Sequence, residues 1–212
     1  MFYRFAKLVM FILFKLLFRV KAEGRENIPA RGPAIFASNH TSYIDPIVIG
    51  ISVKPRVTFL AKSELYSIPI LRSVLKMLGA LPVRAGIADR ESLRKTIEAL
   101  QNGGFVGLFP EGTRSRDGNL LPPHKGVAMI ALKTSSPIVP TAITGTYKVL
   151  PADAHFIRIA PIKIRFGPPI YPRDFADKED SRELISKRIM EEIRRLLEID
   201  KGTGGDKSGD LN

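Results

Sequence analysis

Short apolar runs alternate with stretches of helical periodicity along most of the chain. Runs typical of buried strands lie at 34–38, 57–61, 81–83, 104–108 and 138–144. Apolar residues recur at helical spacing over 46–52, 68–78, 89–101, 126–133 and 181–198. This alternation predicts an α/β fold, in which helices flank a mainly parallel or mixed central sheet. We expect a single domain over residues 20–200, because the pattern contains no internal repeat and no interdomain linker.

Two segments near the C-terminus have patterns of their own. Residues 162–166 follow the order Ile-Lys-Ile-Arg-Phe, which predicts a half-exposed strand with its basic side chains toward solvent. Residues 201–212 are polar and rich in glycine, which predicts a disordered tail.

Residues 1–19 are far more apolar than the rest of the chain. The longest run without a charge covers only residues 8–14, which is too short for a spanning helix of about 20 residues. Four basic residues interrupt the segment and fall in one sector of about 120° on a helical wheel. They are Arg4, Lys7, Lys15 and Arg19. No small-x-small sequence follows that would mark a cleaved signal peptide.

We interpret this segment as an amphipathic helix that lies in a membrane interface. Its apolar side chains would enter the acyl region, and its basic side chains would lie near lipid phosphates. The alternative is an ordinary helix that packs on the domain. The residues expected to face the membrane are the five phenylalanines Phe2, Phe5, Phe11, Phe14 and Phe18.

The chain carries an excess of positive charge. Its 212 residues include 33 Lys and Arg against 21 Asp and Glu, a formal net charge of +12 at pH 7. An anionic partner is therefore expected, such as lipid headgroups, an acidic substrate or nucleic acid. No aromatic–basic string favours nucleic acid, so we expect an anionic membrane surface. The absence of cysteine excludes disulfides and is typical of a reducing compartment, which favours the cytoplasmic face of a membrane.

A histidine and an aspartate follow the first buried strand. They belong to residues 39–45, whose sequence is NHTSYID. Pro46 suits the first position of a helix, so Asp45 is expected to be the N-cap. The five-residue offset can bring the carboxylate to one nitrogen of His40, while the other nitrogen acts as general base. The alternative is an N-cap aspartate beside a solvated histidine.

A second string places charged residues after another buried strand. Residues 109–115 have the sequence FPEGTRS, which brings a carboxylate, a flexible glycine and a guanidinium together within four residues. A guanidinium offers a planar fork of donors that suits phosphate oxygens. Both strings follow strands, and one edge of a sheet could therefore gather them.

Together the two strings resemble the glycerolipid acyltransferase family, and within it the 1-acyl-sn-glycerol-3-phosphate acyltransferases. Two weaker family blocks match residues 79–84, with sequence GALPVR, and residues 138–143, with sequence IVPTAI. The similarity extends over residues 20–172. It implies transfer of a fatty acyl group from acyl-CoA or acyl-carrier protein to the sn-2 hydroxyl of lysophosphatidic acid, without a further cofactor.

The resemblance also implies roles for individual residues. His40 would be the general base, and Asp45 would fix its tautomer and stabilise the imidazolium. Arg84 and Arg114 would bind the phosphate of the acceptor. Glu111 would bind the glycerol or order Arg114. The remaining residues expected to bind substrate are Gly112, Thr113, Lys62 and Lys125.

Other functions stay open on the sequence alone. The same chemistry could act on glycerol 3-phosphate or a lysophospholipid, or the chain could be a non-catalytic basic protein that binds membranes. A Ser–His–Asp triad with Ser38 or Ser42 is disfavoured, because close sequence neighbours rarely point at one ring and no G-x-S-x-G string exists. His40, His124 and His155 are far apart in the sequence, so no metal site is expected.

Overall fold

The computed structural model has a seven-stranded sheet at its centre, in the order β1-β7-β6-β2-β5-β3-β4. Neighbouring strands are parallel except for β6 and β7, which are antiparallel. The predicted mainly parallel, mixed sheet is therefore confirmed. The strands are β1 Lys21–Glu23, β2 Ala34–Ser38, β3 Val57–Lys62, β4 Leu81–Val83, β5 Phe105–Leu108, β6 Ile138–Thr144 and β7 Lys163–Phe166.

The structure describes residues 2–67, 72, 75, 79–83, 90–154 and 156–202. Some of the predicted features fall elsewhere in the chain. Those outside the described residues are Arg84, His155, most of the predicted helix at 68–78, the tail beyond 202, and the side chains of Phe2, Phe5 and Lys62.

Helices cover both faces of the sheet, as predicted. Phe36 of β2 packs in an apolar cluster with α1 and α2, whereas Ile35 and Ala37 pack in a second cluster with α3, α4 and α6. Successive side chains of a strand point to opposite faces, so the two groups of helices lie on opposite sides. The helices are α1 Phe2–Phe18, α2 Asp45–Ser52, α3 Arg90–Gln101, α4 Gly126–Thr134, α5 Thr146–Val149 and α6 Ser181–Gly202.

Helix α1 packs on the domain through one of its faces. Phe14 and Phe18 are buried in the cluster shared with α2, and Phe11 is partly buried against it. The prediction that Phe14 and Phe18 face lipid is therefore wrong, because the core already covers both rings. Lys7 also faces the domain, where its ammonium donates to the carbonyls of Val53 at 2.5 Å and Lys54 at 3.2 Å. Burial lowers the pKa of Lys7.

The other face of α1 is apolar and exposed. Among the large apolar side chains described in α1, Leu16 is the most exposed, at 75%. None of the helices in the described part of the chain is long and apolar enough to cross a bilayer. The exposed apolar residues of α1 are Leu8, Val9, Ile12, Leu13, Leu16 and Leu17.

Strand β7 differs from its prediction. Arg165 is buried, with its Nε donating to the Glu23 carboxylate at 2.6 Å and its Nη1 to the Leu196 carbonyl at 3.3 Å. The predicted half-exposed strand is wrong at this position, because α6 and the Glu23 side chain cover the guanidinium. Strand β1, of three residues, and helix α5, of four, were not predicted.

Candidate active site

The two sequence strings leave the sheet at the same edge. Strands β2 and β5 are parallel neighbours in register, with Ala37 opposite Leu108. His40 lies two residues beyond the end of β2, and residues 109–115 follow directly after β5. Parallel strands end on the same side of a sheet, so the fold brings both strings together.

His40 and Asp45 form a pair. The imidazole Nδ1 lies 2.9 Å from Oδ2 of Asp45. The same oxygen accepts the backbone N–H groups of Thr41 and Ser42, both at 2.8 Å. Asp45 is fully buried, so its carboxylate fixes the His40 ring from the interior side of the loop. A proton on Nδ1 therefore leaves Nε2 as the free acceptor of the ring.

The position of Asp45 in its helix corrects one detail of the prediction. Asp45 is the first residue of α2, and the N-cap is Ile44. The carboxylate points back to the preceding loop, because the N–H groups of Thr41 and Ser42 and the His40 ring lie there. Asp45 thus fixes the loop that carries the histidine instead of capping the helix.

The ring of Phe109 stacks on His40. The two ring centroids lie 3.9 Å apart with an angle of 14° between the planes. This stacked contact restricts rotation of the histidine ring. The sequence contained Phe109 within its string but gave no reason to assign it this position.

Glu111 joins the two strings through backbone groups. It is buried, and its carboxylate accepts the N–H of His40 at 2.9 Å and the N–H of Leu121 at 2.9 Å. Both oxygens of Glu111 thus accept backbone N–H groups, a positioning role that was not predicted. A contact of Glu111 with glycerol or with Arg114 stays a prediction. Burial raises the pKa of Glu111, and the N–H groups of Leu121 and His40 oppose that shift.

Further backbone contacts lock His40 in place. Its carbonyl accepts the N–H of Ser115 at 2.8 Å. The preceding Asn39 is buried and pairs with both backbone groups of Ile143, its amide donating at 2.9 Å and its oxygen accepting at 2.8 Å. Asn39 therefore ties the histidine loop to β6. This role was not predicted, because an asparagine beside a histidine carries no signal for a distant backbone partner.

Arg114 lies at the same edge of the sheet. Its guanidinium stacks on the ring of Tyr43, 3.5 Å from the ring centroid, and its Nη1 donates to the carbonyl of Ala152 at 3.0 Å. Tyr43 belongs to the histidine loop, so the arginine is held against the segment that carries His40. The remaining N–H donors of the Arg114 guanidinium can donate hydrogen bonds to an anion. Tyr43 was not predicted to take part.

Asp117 fixes the loop after Arg114. Its carboxylate accepts the backbone N–H and the side-chain amide of Asn119, at 3.0 and 2.8 Å, and the hydroxyl of Ser115 at 2.8 Å. These hydrogen bonds, led by the backbone N–H of Asn119, lower the pKa of Asp117 to about 2. The loop therefore keeps its carboxylate acceptor at any pH near neutrality.

The other expected residues are more dispersed. Gly112 has a φ of +66°, and a Cβ there would lie 2.7 Å from the His124 ring, so glycine is required by the turn itself. Thr113 is exposed beside it. Lys125 does not join the cluster, because its ammonium pairs with Glu183 of α6 at 3.0 Å on the surface.

The two serines near His40 are engaged elsewhere. The hydroxyl of Ser42 donates to the Leu150 carbonyl at 2.6 Å, and that of Ser38 donates to the Asn39 carbonyl at 3.1 Å. Neither hydroxyl donates to the His40 ring, as the serine of a Ser–His–Asp triad would. Within the described ranges, no group of three or more His, Asp or Glu side chains could hold a metal ion.

A family model and a solved structure both relate this chain to the acyltransferases. The family model described as Acyltransferase matches residues 19–144. The solved structure of the 1-acyl-sn-glycerophosphate (LPA) acyltransferase PlsC from Thermotoga maritima is similar with a TM-score of 0.81 and 32% identity. That match covers 98% of this chain and 81% of the solved chain.

Curated relatives point the same way. A chloroplastic 1-acyl-sn-glycerol-3-phosphate acyltransferase of Brassica napus is 31% identical over 78% of this chain and 49% of its own length. The 1-acyl-sn-glycerol-3-phosphate acyltransferase of Bacillus subtilis is 27% identical over 92% of this chain and 96% of its own. The chain thus spans about half the length of the plant relative and nearly all of the bacterial one.

Proposed function

Because the chain belongs to the acyltransferase family, we propose that it transfers a fatty acyl group from a thioester to the sn-2 hydroxyl of 1-acyl-sn-glycerol 3-phosphate, giving phosphatidic acid. The observation that carries the proposal is the His40–Asp45 pair beside Arg114 at one edge of the sheet. The pair can supply a base for the acceptor hydroxyl, and the arginine can bind the acceptor phosphate.

His40 would act as the general base. Its Nε2 accepts the proton of the acceptor hydroxyl as that oxygen attacks the thioester carbonyl. The tetrahedral intermediate then collapses, the carbon–sulfur bond breaks, and the imidazolium returns the proton to the departing thiolate. Asp45 stabilises the imidazolium between these two events. The substrate supplies the nucleophile, so no acyl-enzyme intermediate is needed.

Arg114 would bind the phosphate of the acceptor. Tyr43 and the Ala152 carbonyl hold the guanidinium in one orientation, which leaves donors of the fork for phosphate oxygens. Arg84 is proposed as a second phosphate ligand, on the family resemblance alone. The donor would be acyl-CoA or acyl-carrier protein, since both are anionic and the chain carries a net charge of +12.

Arg114→Ala is expected to raise the acceptor KM by about 10- to 100-fold with a smaller effect on kcat. A charge-assisted hydrogen bond is worth about 1.5–3 kcal/mol. Steady-state kinetics at varied lysophosphatidic acid would measure the effect. Arg116→Ala is the matched control, because it removes an exposed guanidinium two residues away. An unchanged acceptor KM and kcat in Arg114→Ala would refute the phosphate role.

We also propose that the protein works on an anionic membrane surface, at the cytoplasmic face. The exposed apolar side of α1 supports this idea, because six leucine, isoleucine and valine side chains lie there without cover. Large exposed apolar patches mark membrane or protein interfaces. Lys15 and Arg19 lie at one border of the patch and are exposed, where they can meet lipid phosphates.

Replacement of Ile12 and Leu16 by serine is expected to weaken binding to anionic vesicles by about tenfold or more. Each fully buried aliphatic side chain contributes roughly 1.5–3 kcal/mol. Co-sedimentation with vesicles would give the partition coefficient. The control is Leu184→Ser, which removes an exposed leucine from α6 on the opposite side of the sheet. Equal binding by both variants and wild type would exclude α1 as the contact.

The preferred acceptor substrate distinguishes this proposal from the two enzymatic alternatives, acyl transfer to glycerol 3-phosphate or to a lysophospholipid. Equal concentrations of lysophosphatidic acid, glycerol 3-phosphate and lysophosphatidylcholine would be offered with one labelled donor. Preferential labelling of phosphatidic acid supports the proposed acceptor. Preferential labelling of either other product would assign the same chemistry to that acceptor instead.

A further inference from the structure

A second apolar surface lies outside α1. The apolar loop, residues 156–159, exposes three large side chains at its tip. Phe156 is 83% exposed, Ile157 64% and Ile159 77%. Phe156 and Ile159 are the most exposed large apolar residues among those described. Such residues are costly in water when they are clustered, and contiguous apolar patches mark interaction sites.

The apolar loop is held in this exposed position. The N–H of Arg158 donates to the Val149 carbonyl at 2.8 Å, which fixes the middle of the loop to helix α5. Ala160, just beyond the loop, packs against the cluster that contains Phe14 and Phe18. The apolar side chains therefore project from a segment that is fixed at its middle and at its C-terminal end.

The apolar loop is close to both α1 and the active site. The N–H of Ile162 donates to the Phe18 carbonyl at the end of α1, at 2.9 Å. On its other side, the carbonyl of Ala152 accepts from Arg114, and that of Leu150 accepts from Ser42. One stretch of chain thus joins the end of α1, the exposed loop and the phosphate-binding arginine.

The charge of the segment suits an anionic lipid surface. Residues 148–163 contain three cations, Lys148, Arg158 and Lys163, and a single carboxylate, Asp153. Arg158 lies between Ile157 and Ile159 in sequence. Apolar residues with interleaved cations are typical of segments that enter the acyl boundary while their bases contact lipid phosphates.

We propose that the apolar loop is a second membrane-insertion element, which enters the lipid interface next to α1. This inference rests on the proposed membrane function and extends it, because two contacts fix the orientation of a protein on a bilayer where one allows it to tilt. With both contacts inserted, the edge of the sheet that carries His40 and Arg114 lies next to the lipid. An acceptor embedded in the bilayer could then reach His40 while its phosphate remains at the level of Arg114.

The test uses single cysteines in the full chain, which has none of its own. Ile157→Cys, Leu16→Cys and Leu184→Cys would each carry an environment-sensitive fluorophore. Vesicles of phosphatidylcholine and phosphatidylglycerol, with and without lipids spin-labelled in the acyl chain, are then added. The labels at 157 and 16 should shift to the blue and be quenched by the spin-labelled lipids. The label at 184 should do neither.

The outcomes separate the loop from the membrane function as a whole. Quenching at 16 without quenching at 157 would overturn the loop proposal and leave membrane binding by α1 intact. No quenching at either position would refute membrane binding itself. A response at 157 to added acyl-carrier protein without vesicles, and none to vesicles, would assign the loop to a protein partner and overturn the proposal.

Activity gives an independent readout. Replacement of Ile157 and Ile159 by serine should raise the apparent KM severalfold for lysophosphatidic acid in vesicles. It should leave kinetics unchanged for a short-chain acceptor dissolved as a monomer, because that acceptor needs no bilayer. Equal loss on both acceptors would indicate damage to the site and contradict the loop's role, and no loss on either would also contradict it.

Discussion

His40→Ala is expected to fold like the wild type and to lose about 10²- to 10⁴-fold in turnover, the usual contribution of a positioned base. In the proposed mechanism the ring accepts the proton of the attacking hydroxyl, so its removal leaves that proton without the positioned acceptor. Turnover at saturating donor and acceptor measures the loss. Thermal unfolding of the same preparations checks the fold, because the variant keeps the backbone contacts of residue 40 with Glu111 and Ser115.

A matched histidine variant controls for this experiment. His124 is exposed, and its ring packs against Gly112 without a side-chain hydrogen bond. His124→Ala should therefore keep wild-type turnover within a small factor. A well-folded His40→Ala with unchanged turnover would refute the base assignment, and equal losses in both variants would show that the effect is not specific to His40.

Asp45→Asn is expected to reduce turnover by about 10²-fold or more with only a small change in stability. The amide is isosteric with the carboxylate and can still present an oxygen to the loop, but it lacks the negative charge that stabilises the imidazolium. Asp45→Ala removes the acceptor as well. It leaves the N–H groups of Thr41 and Ser42 without their buried partner, which costs about 1–3 kcal/mol each in unfolding free energy.

The two Asp45 variants separate charge from positioning. Measured together, turnover should fall in both, whereas the melting temperature should fall clearly only in Asp45→Ala. If Asp45→Asn kept full turnover, the carboxylate would only position the loop. That result would refute the catalytic role proposed for its charge.

The general architecture was predictable because parallel strands have a simple signature. The strands at 34–38 and 105–108 are buried on both faces of the sheet, so their continuous apolar runs differ from the periodic pattern of the helices between them. Parallel strands also end at the same edge of the sheet. The strings that carry His40 and Arg114 each follow such a strand, so their proximity was predictable from the sequence. The contact between His40 and Asp45 followed from a short local offset across one turn.

Contacts with distant backbone were not predictable. Glu111 accepts from an N–H 71 residues away, and a backbone donor leaves no trace in the sequence. Its neighbour Arg114 was therefore the apparent partner.

The burial of single side chains was also hard to predict. Phe14 and Phe18 were misassigned to lipid, because apolar periodicity is the same whether a helix packs on protein or on a membrane. Arg165 was placed in solvent because its cover comes from α6, far along the chain.

The most direct measurement is acyl transfer from labelled acyl-CoA to lysophosphatidic acid in detergent, with a matched acyl-carrier-protein donor and a glycerol 3-phosphate acceptor run in parallel. The proposed function predicts phosphatidic acid labelled at the sn-2 position, from at least one of the two donors. No product with either donor on either acceptor, from protein shown to be folded, would contradict it and favour a non-catalytic membrane-binding protein.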